Sequence, residues 1–157
     1  MIARFQSVCD ELDRLIEQWG PALLSLPEGI HNGRRNDQDR TIKQIVGHMV
    51  DSASNNTHRI IHLQYRTSPV DYPDYANLGN NDRWIAIQNY REEPWDLLVQ
   101  LWISVNRHFV HVVRQVDPEK IGQVWISALG DAVTLEAMIV DFPRHFKLHL
   151  SEIEELI

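Results

Sequence analysis

Two histidines, His145 and His149, stand four residues apart in the segment Thr134 to Ile157. On a helix that spacing stacks both rings on one face about a turn apart, within reach of a single metal ion. Neutral imidazole is the commonest nitrogen ligand, and three such ligands with one vacant position form the usual catalytic zinc site. The pair would supply two of the three. His48, on an earlier helix, is the candidate for the third.

The chain holds 8 histidines, so position must sort them. His58 and His62 repeat the i, i+4 spacing, but on the side of their helix opposite its apolar stripe, where water is the expected neighbour. His111 reads as a surface residue. His108 falls among Leu101, Val105 and Val112 and reads as a hydrogen-bonded core residue. His149 lies on the apolar side of the last helix between Phe142, Phe146 and Ile153, with His145 at the margin. Buried imidazoles carry a desolvation cost unless a metal, a carboxylate or water satisfies them.

The elements that must position these rings follow from periodicity. Phe5, Val8, Leu12, Leu15, Ile16 and Trp19 predict a first helix over residues 3 to 19, ended by Gly20 and Pro21. A Pro-, Gly-, Asn- and Asp-rich connector covers residues 22 to 40. A second helix opens at Thr41, where TIKQ has the form of a capping box, and runs to about Tyr65. Its polar row of His48, Ser52, Asn55 and Arg59 beside the apolar stripe reads as a helix edge lining a pocket, or as a solvated flank.

Residues 67 to 93 make a connection too long for antiparallel neighbours and read as a crossover between parallel helices, with a short helix at Asp82 to Asn89. Pro94 starts a third helix along Leu97, Leu98, Leu101, Trp102, Val105, Phe109, Val112 and Val116. Asp117 and Pro118 close it. Residues 119 to 133 are irregular, with an extended piece at Gln123 to Ser127. Thr134 then caps the fourth helix, in which Pro143 should kink or loosen a turn just before His145. The fold class expected is all-α, a four-helix bundle forming a single domain over residues 1–157.

Composition narrows the function. A formal charge of −7 with no basic face argues against nucleic acid. No stretch of about 18 apolar residues exists to span a membrane. The single cysteine, Cys9, excludes an internal disulfide and sits among apolar residues; with a charged start in MIARFQSVCDEL, a cytoplasmic protein is expected.

The segments TIKQIVGHMVDSASNN and TLEAMIVDFPRHFKLHLSEIEEL resemble the DinB/YfiT-like superfamily of metal-binding four-helix bundles. Its members carry one histidine on the second helix and HxxxH on the fourth. The Thr-Leu opening of the last helix and the order and length of the elements are similar too. The resemblance implies up-down-down-up topology and His48, His145 and His149 as ligands of a divalent ion, zinc or nickel. It also implies a small-molecule substrate handled by metal-dependent hydrolysis or by transfer of a low-molecular-weight thiol, or else a non-enzymatic bundle with a structural or vacant metal site. A homodimer is a further expectation, since members often pair. Pro143 departs from the pattern, because the family's helix is usually continuous there.

Three carboxylates could assist. Asp51, Asp141 and Glu152 lie near the histidine positions, where a carboxylate usually holds the far ring N–H and sometimes acts as base. Asn55 and Arg59 could bind a polar or anionic substrate group. Tyr72, Tyr75 and Trp84 in the crossover could cover the pocket or anchor the loop.

Overall fold

The computed structural model describes residues 2–157. Its helices are α1 (Ala3–Leu24), α2 (Glu28–His31), α3 (Ile42–Tyr65), α4 (Asn80–Gln88), α5 (Trp95–Arg114) and α6 (Leu135–Glu154). A two-stranded antiparallel hairpin, β1 (Val124–Ile126) and β2 (Ala132–Thr134), precedes α6, with Trp125 opposite Val133. The four long helices, α1, α3, α5 and α6, enclose one core.

Cross-helix contacts give their directions. Leu23 lies by Trp95, Gly20 by Ile103 and Cys9 by Val110, so α1 and α5 run antiparallel. His48 meets His149 while Arg59 meets Met138, so α3 and α6 are antiparallel as well. Arg4 pairs with Glu136 and Glu11 with Lys147, which makes α1 and α6 parallel. Lys43 reaches Arg91 just ahead of α5, and Gln64 reaches Asp117 just past its end, so α3 and α5 are parallel too. The order is therefore up-down-down-up. Residues 66 to 94 carry the chain back along the bundle between α3 and α5, as a parallel pair requires.

The capping box forms as the sequence predicts: Thr41 Oγ1 accepts from Gln44 N and Gln44 Oε1 accepts from Thr41 N. Thr134 caps α6 by accepting from Ala137 N (3.0 Å). Four expectations differ. Helix α1 does not stop at Gly20 but continues through Pro21 to Leu24, because buried Leu23 anchors the last turn. Gly20 instead admits the side chain of Ile103 at 3.0 Å from where a Cβ would sit. The buried face of α5 is rotated to Leu98, Trp102, Asn106, Phe109 and Val113; Leu97, Leu101 and His108 are exposed, so His108 is not a core residue. Helix α6 runs on through Pro143, which is itself buried, rather than breaking there. Finally, the piece around Gln123 has a partner strand, β2, within the stretch expected to be irregular.

The crossover and the hairpin are tied together. Val70 N donates to Val124 O (2.7 Å) and bridges to Trp125. Asp74 accepts from Ala76 N, Asn77 N and Asn77 Nδ2 within its own loop, and from Ala128 N (2.9 Å) in the hairpin turn. Further along, the Tyr90 ring lies on the backbone of α3 at Gly47, where an added Cβ would stand 2.2 Å from the ring. Only glycine permits that approach.

Candidate metal centre

Helix α3 presents His48 about two turns after its Thr41 cap, and antiparallel α6 presents His145 and His149 from its second half. His149 Nε2 lies 3.0 Å from His48 Nε2 and 3.1 Å from His145 Nε2. One nitrogen from each ring lies within 4.8 Å of the others. His48 and His149 are buried and His145 is half-buried. Thus the three positions singled out in the sequence converge.

The remaining ring nitrogens fix the orientation. Glu152 Oε2 stands 2.9 Å from His149 Nδ1, and that contact holds the Glu152 carboxyl below its ordinary range. An ionised carboxylate only accepts, so Nδ1 carries a proton and the ring turns its Nε2 toward its neighbours. His48 Nδ1 contacts the Tyr75 hydroxyl at 2.5 Å, which also reaches His48 O at 3.2 Å. Trp84 lies edge-on over Tyr75 with ring centroids 5.2 Å apart.

A divalent ion fits this donor set. The single lone pair on His149 Nε2 can accept one N–H well, yet two other Nε2 atoms face it at nearly equal distance. Hydrogen bonding among the three rings therefore leaves one of them unsatisfied, whereas a cation between them satisfies all three. Tetrahedral zinc with nitrogen ligands at about 2.0 Å sets ligand nitrogens roughly 3.3 Å apart, within a few tenths of the two short separations. Protonation is also disfavoured. Burial, then the neighbouring His149, Arg40 and His145, pushes His48 down to about 2. Burial, His149 and Arg144 push His145 to about 4. Both rings stay neutral and available as ligands at physiological pH.

Asp51 is turned to another task. Its Oδ1 accepts from Tyr90 OH (2.6 Å) and Gln88 Nε2 (2.9 Å), and its Oδ2 is buried without a partner. Burial raises its pKa to about 6 against the lowering effect of those bonds. Asn55 donates back to Asp51 O (2.9 Å) and is buried off the cleft described next. Asp141 forms a two-point ion pair with Arg144 on the rim, with Oδ1–Nε at 2.6 Å and Oδ2–Nη2 at 2.8 Å.

A cleft of about 350 Å³ opens beside His145. Ser52, Asn56 and Arg59 of α3 form one wall, Met138 and Phe142 of α6 the other, and Trp125 of the hairpin closes the end. Beneath it, Met49, Phe142 and Phe146 pack around His145 and His149, leaving almost no free volume. The polar row expected on α3 thus lines a pocket, with Asn56 in the place given to Asn55. Arg59 is buried, its guanidinium 3.8 Å from the Trp125 ring centroid and 5.3 Å from that of Tyr72.

Sequence reasoning missed Arg40, which is buried, pairs with Asp82 at 2.5 Å and adds positive potential at His48 and Glu152. It also missed Trp125 and the Gly47–Tyr90 contact. All three depend on irregular segments that carry no periodic signal.

An up-down-down-up helical bundle with three converging imidazoles defines the class of molecule seen here. The chain superposes on a solved structure from Bacillus subtilis, YfiT, described as a probable metal-dependent hydrolase with an unusual four-helix bundle topology. The TM-score is 0.84 over 99% of this chain and 88% of that one, at 16% sequence identity. That likeness establishes the fold. No family model matches the sequence, and no curated protein matches it.

Proposed function

We propose that this protein is a metal-dependent hydrolase of a small acyl or amide substrate, with His48, His145 and His149 holding one divalent ion, zinc or nickel. The observation that carries the reading is the meeting of three Nε2 atoms next to a cleft that His145 lines and that is large enough for a small molecule. A buried trio of histidines serving only as structure would need hydrogen-bond partners that this geometry does not supply. The solved likeness to a probable metal-dependent hydrolase supports the same reading.

When bound, a divalent ion with an open position acidifies water toward neutral pH and polarises a carbonyl oxygen. The chain's own residues set the conditions for that chemistry. Glu152 keeps the proton of His149 on Nδ1, and Tyr75 holds the ring of His48 from its far side. Met49, Phe142 and Phe146 exclude bulk water from behind the rings. Ser52 and Asn56 present polar groups along the wall where a substrate would lie, while Asp51, bound to Tyr90, braces the crossover against α3. A low-molecular-weight thiol is the other nucleophile such a centre would activate. It would enter as a substrate, because Cys9 is buried against Val110 O in the α1–α5 interface.

The test is elemental analysis of protein purified without an affinity tag, followed by a panel of activated esters, amides and thiol conjugates. The expected result is about one first-row ion per chain and turnover that disappears on chelation and returns with added metal. Stoichiometric metal with no turnover of any panel member would favour a structural ion in a non-catalytic bundle. Protein that takes up no metal would remove the proposal.

A further inference from the structure

Arg59 is a buried cation with no carboxylate within 4.0 Å among the described residues, and it lines the cleft beside the imidazoles. Its Nη1 donates to Asn56 Oδ1 (3.1 Å) and approaches Met138 Sδ (3.7 Å). Its Nε is buried without a partner, and Nη2 makes no hydrogen bond to a described residue. The Trp125 indole beneath it also has a buried Nε1–H without a partner. Burying a charge in this way is costly unless something pairs with it.

The nearby carboxylates are already engaged. Asp74 acts on Arg59 only at a distance, and its two oxygens accept four N–H groups. Asp141 is held by Arg144. Asn56 is itself fixed by donating to Ser52 O (2.8 Å), so the relay Ser52–Asn56–Arg59 holds the guanidinium along the wall. Stacking on Trp125 and Tyr72 preserves its plane and leaves its edge for a ligand.

We infer that the cleft takes an elongated small molecule carrying a carboxylate, which docks on Arg59 while the bond to be cleaved lies at the imidazoles. The inference rests on the hydrolase reading for the placement of the reacting bond. Met138, in contact with Arg59, and His145 are seven residues apart on α6, so anchor and reaction centre are separated by two turns, roughly 10 Å. A substrate whose carboxylate sits next to the scissile carbonyl is too short to reach both.

The probe is 6-acetamidohexanoate, in which five methylenes separate the carboxylate from the amide nitrogen, compared with its neutral counterpart 6-acetamidohexanamide. Both are titrated into metal-free and zinc-loaded protein by calorimetry. The Arg59 Nε–H and Trp125 indole resonances are followed by NMR. A charge-assisted hydrogen bond predicts a preference for the carboxylate of roughly tenfold or more in both forms. Arg59→Gln should abolish that preference and Arg59→Lys should retain part of it. Equal binding of the two compounds, binding of neither, or an undiminished preference in Arg59→Gln overturns the inference. Should Arg59→Gln fail to fold, the wild-type resonances decide: shifts with the carboxylate but not the amide support the site, and their absence sinks it. A carboxylate preference in protein that takes up no zinc would leave the anion site standing while removing the hydrolase reading, so the two failures are distinguishable.

Discussion

The bundle contains two antiparallel helix pairs that solve the same packing problem differently. Along α1 and α5, Phe5, Leu12, Ile16 and Val110 are buried, Cys9 faces Val110 O, and Gly20 lets Ile103 approach the backbone. Between α3 and α6 the chain places His48, Arg59, His145 and His149, and leaves a cleft open alongside. The first pair supplies burial, at about 25 cal/mol per Å² of apolar surface. The second gives up part of that gain to keep polar groups where a ligand can meet them. The proposed site lies in the seam that packs less completely, and the sealed seam makes that tolerable.

Substitutions can test that division. The largest effect is expected from His149→Ala, which removes the central nitrogen of the cluster. Metal content by elemental analysis should fall to background while helicity by circular dichroism stays near wild type. In the sealed seam, Leu12→Ala should do the reverse, costing about 2–5 kcal/mol in urea unfolding with metal stoichiometry of the folded protein unchanged.

Two glycines sharpen the contrast. Gly47→Ala pushes a methyl into the Tyr90 ring and should cost about 1–3 kcal/mol or more, loosening the bond from Tyr90 to Asp51. Gly20→Ala meets only the flexible end of Ile103. Its gain in helix propensity, about 1 kcal/mol, should offset most of the crowding, so its urea midpoint should stay close to wild type.

The polar seam should also show itself in a pH dependence. In metal-free protein His145 and His48 are depressed to about 4 and about 2 from 6.5, so the unfolded chain takes up their protons first. Stability from these rings is complete above pH 6.5 and is lost as pH falls toward 4 and below. Asp51 has the opposite sign. Raised from 3.8 to about 6, it contributes stability that is complete below pH 3.8 and lost as pH rises through about 6. Unfolding measured across this range should show Asp51→Asn removing the second dependence and leaving the first. A dependence unchanged in Asp51→Asn would mean that the carboxyl is not held raised.

The unequal legibility of the two seams in the sequence has a physical origin. Helices advertise themselves by periodicity and caps, so Thr41 with Gln44, Thr134, and the positions of His48, His145 and His149 could be read directly. The rotation of α5 could not, because Leu97 and Leu101 are as apolar as the residues that are buried. A helix apolar on more than one face leaves its angle to tertiary packing. The end of α1 misled because proline signals a stop, whereas contact by Leu23 outweighs the lost backbone bond. Strand β2 is three residues long and runs straight into the cap of α6, too short for an alternating pattern. Arg40 and Trp125 reach the site from a connector and a three-residue strand, where local sequence says little about distant neighbours. Asn56 and Asn55 are adjacent, and only the pitch of the assembled helix decides which faces the cleft.

The tie between the crossover and the hairpin bears on how such a scaffold diversifies. The three imidazoles are carried by helices, while Tyr72 and Trp125, which flank Arg59, belong to the crossover loop and the β-hairpin, stitched together through Val70 and Asp74. Changes in the length or composition of these joined segments could retune molecular selectivity without disturbing the imidazoles. On the proposed function, reactivity and preference would be separately heritable, the first written in helical register and the second in a replaceable rim.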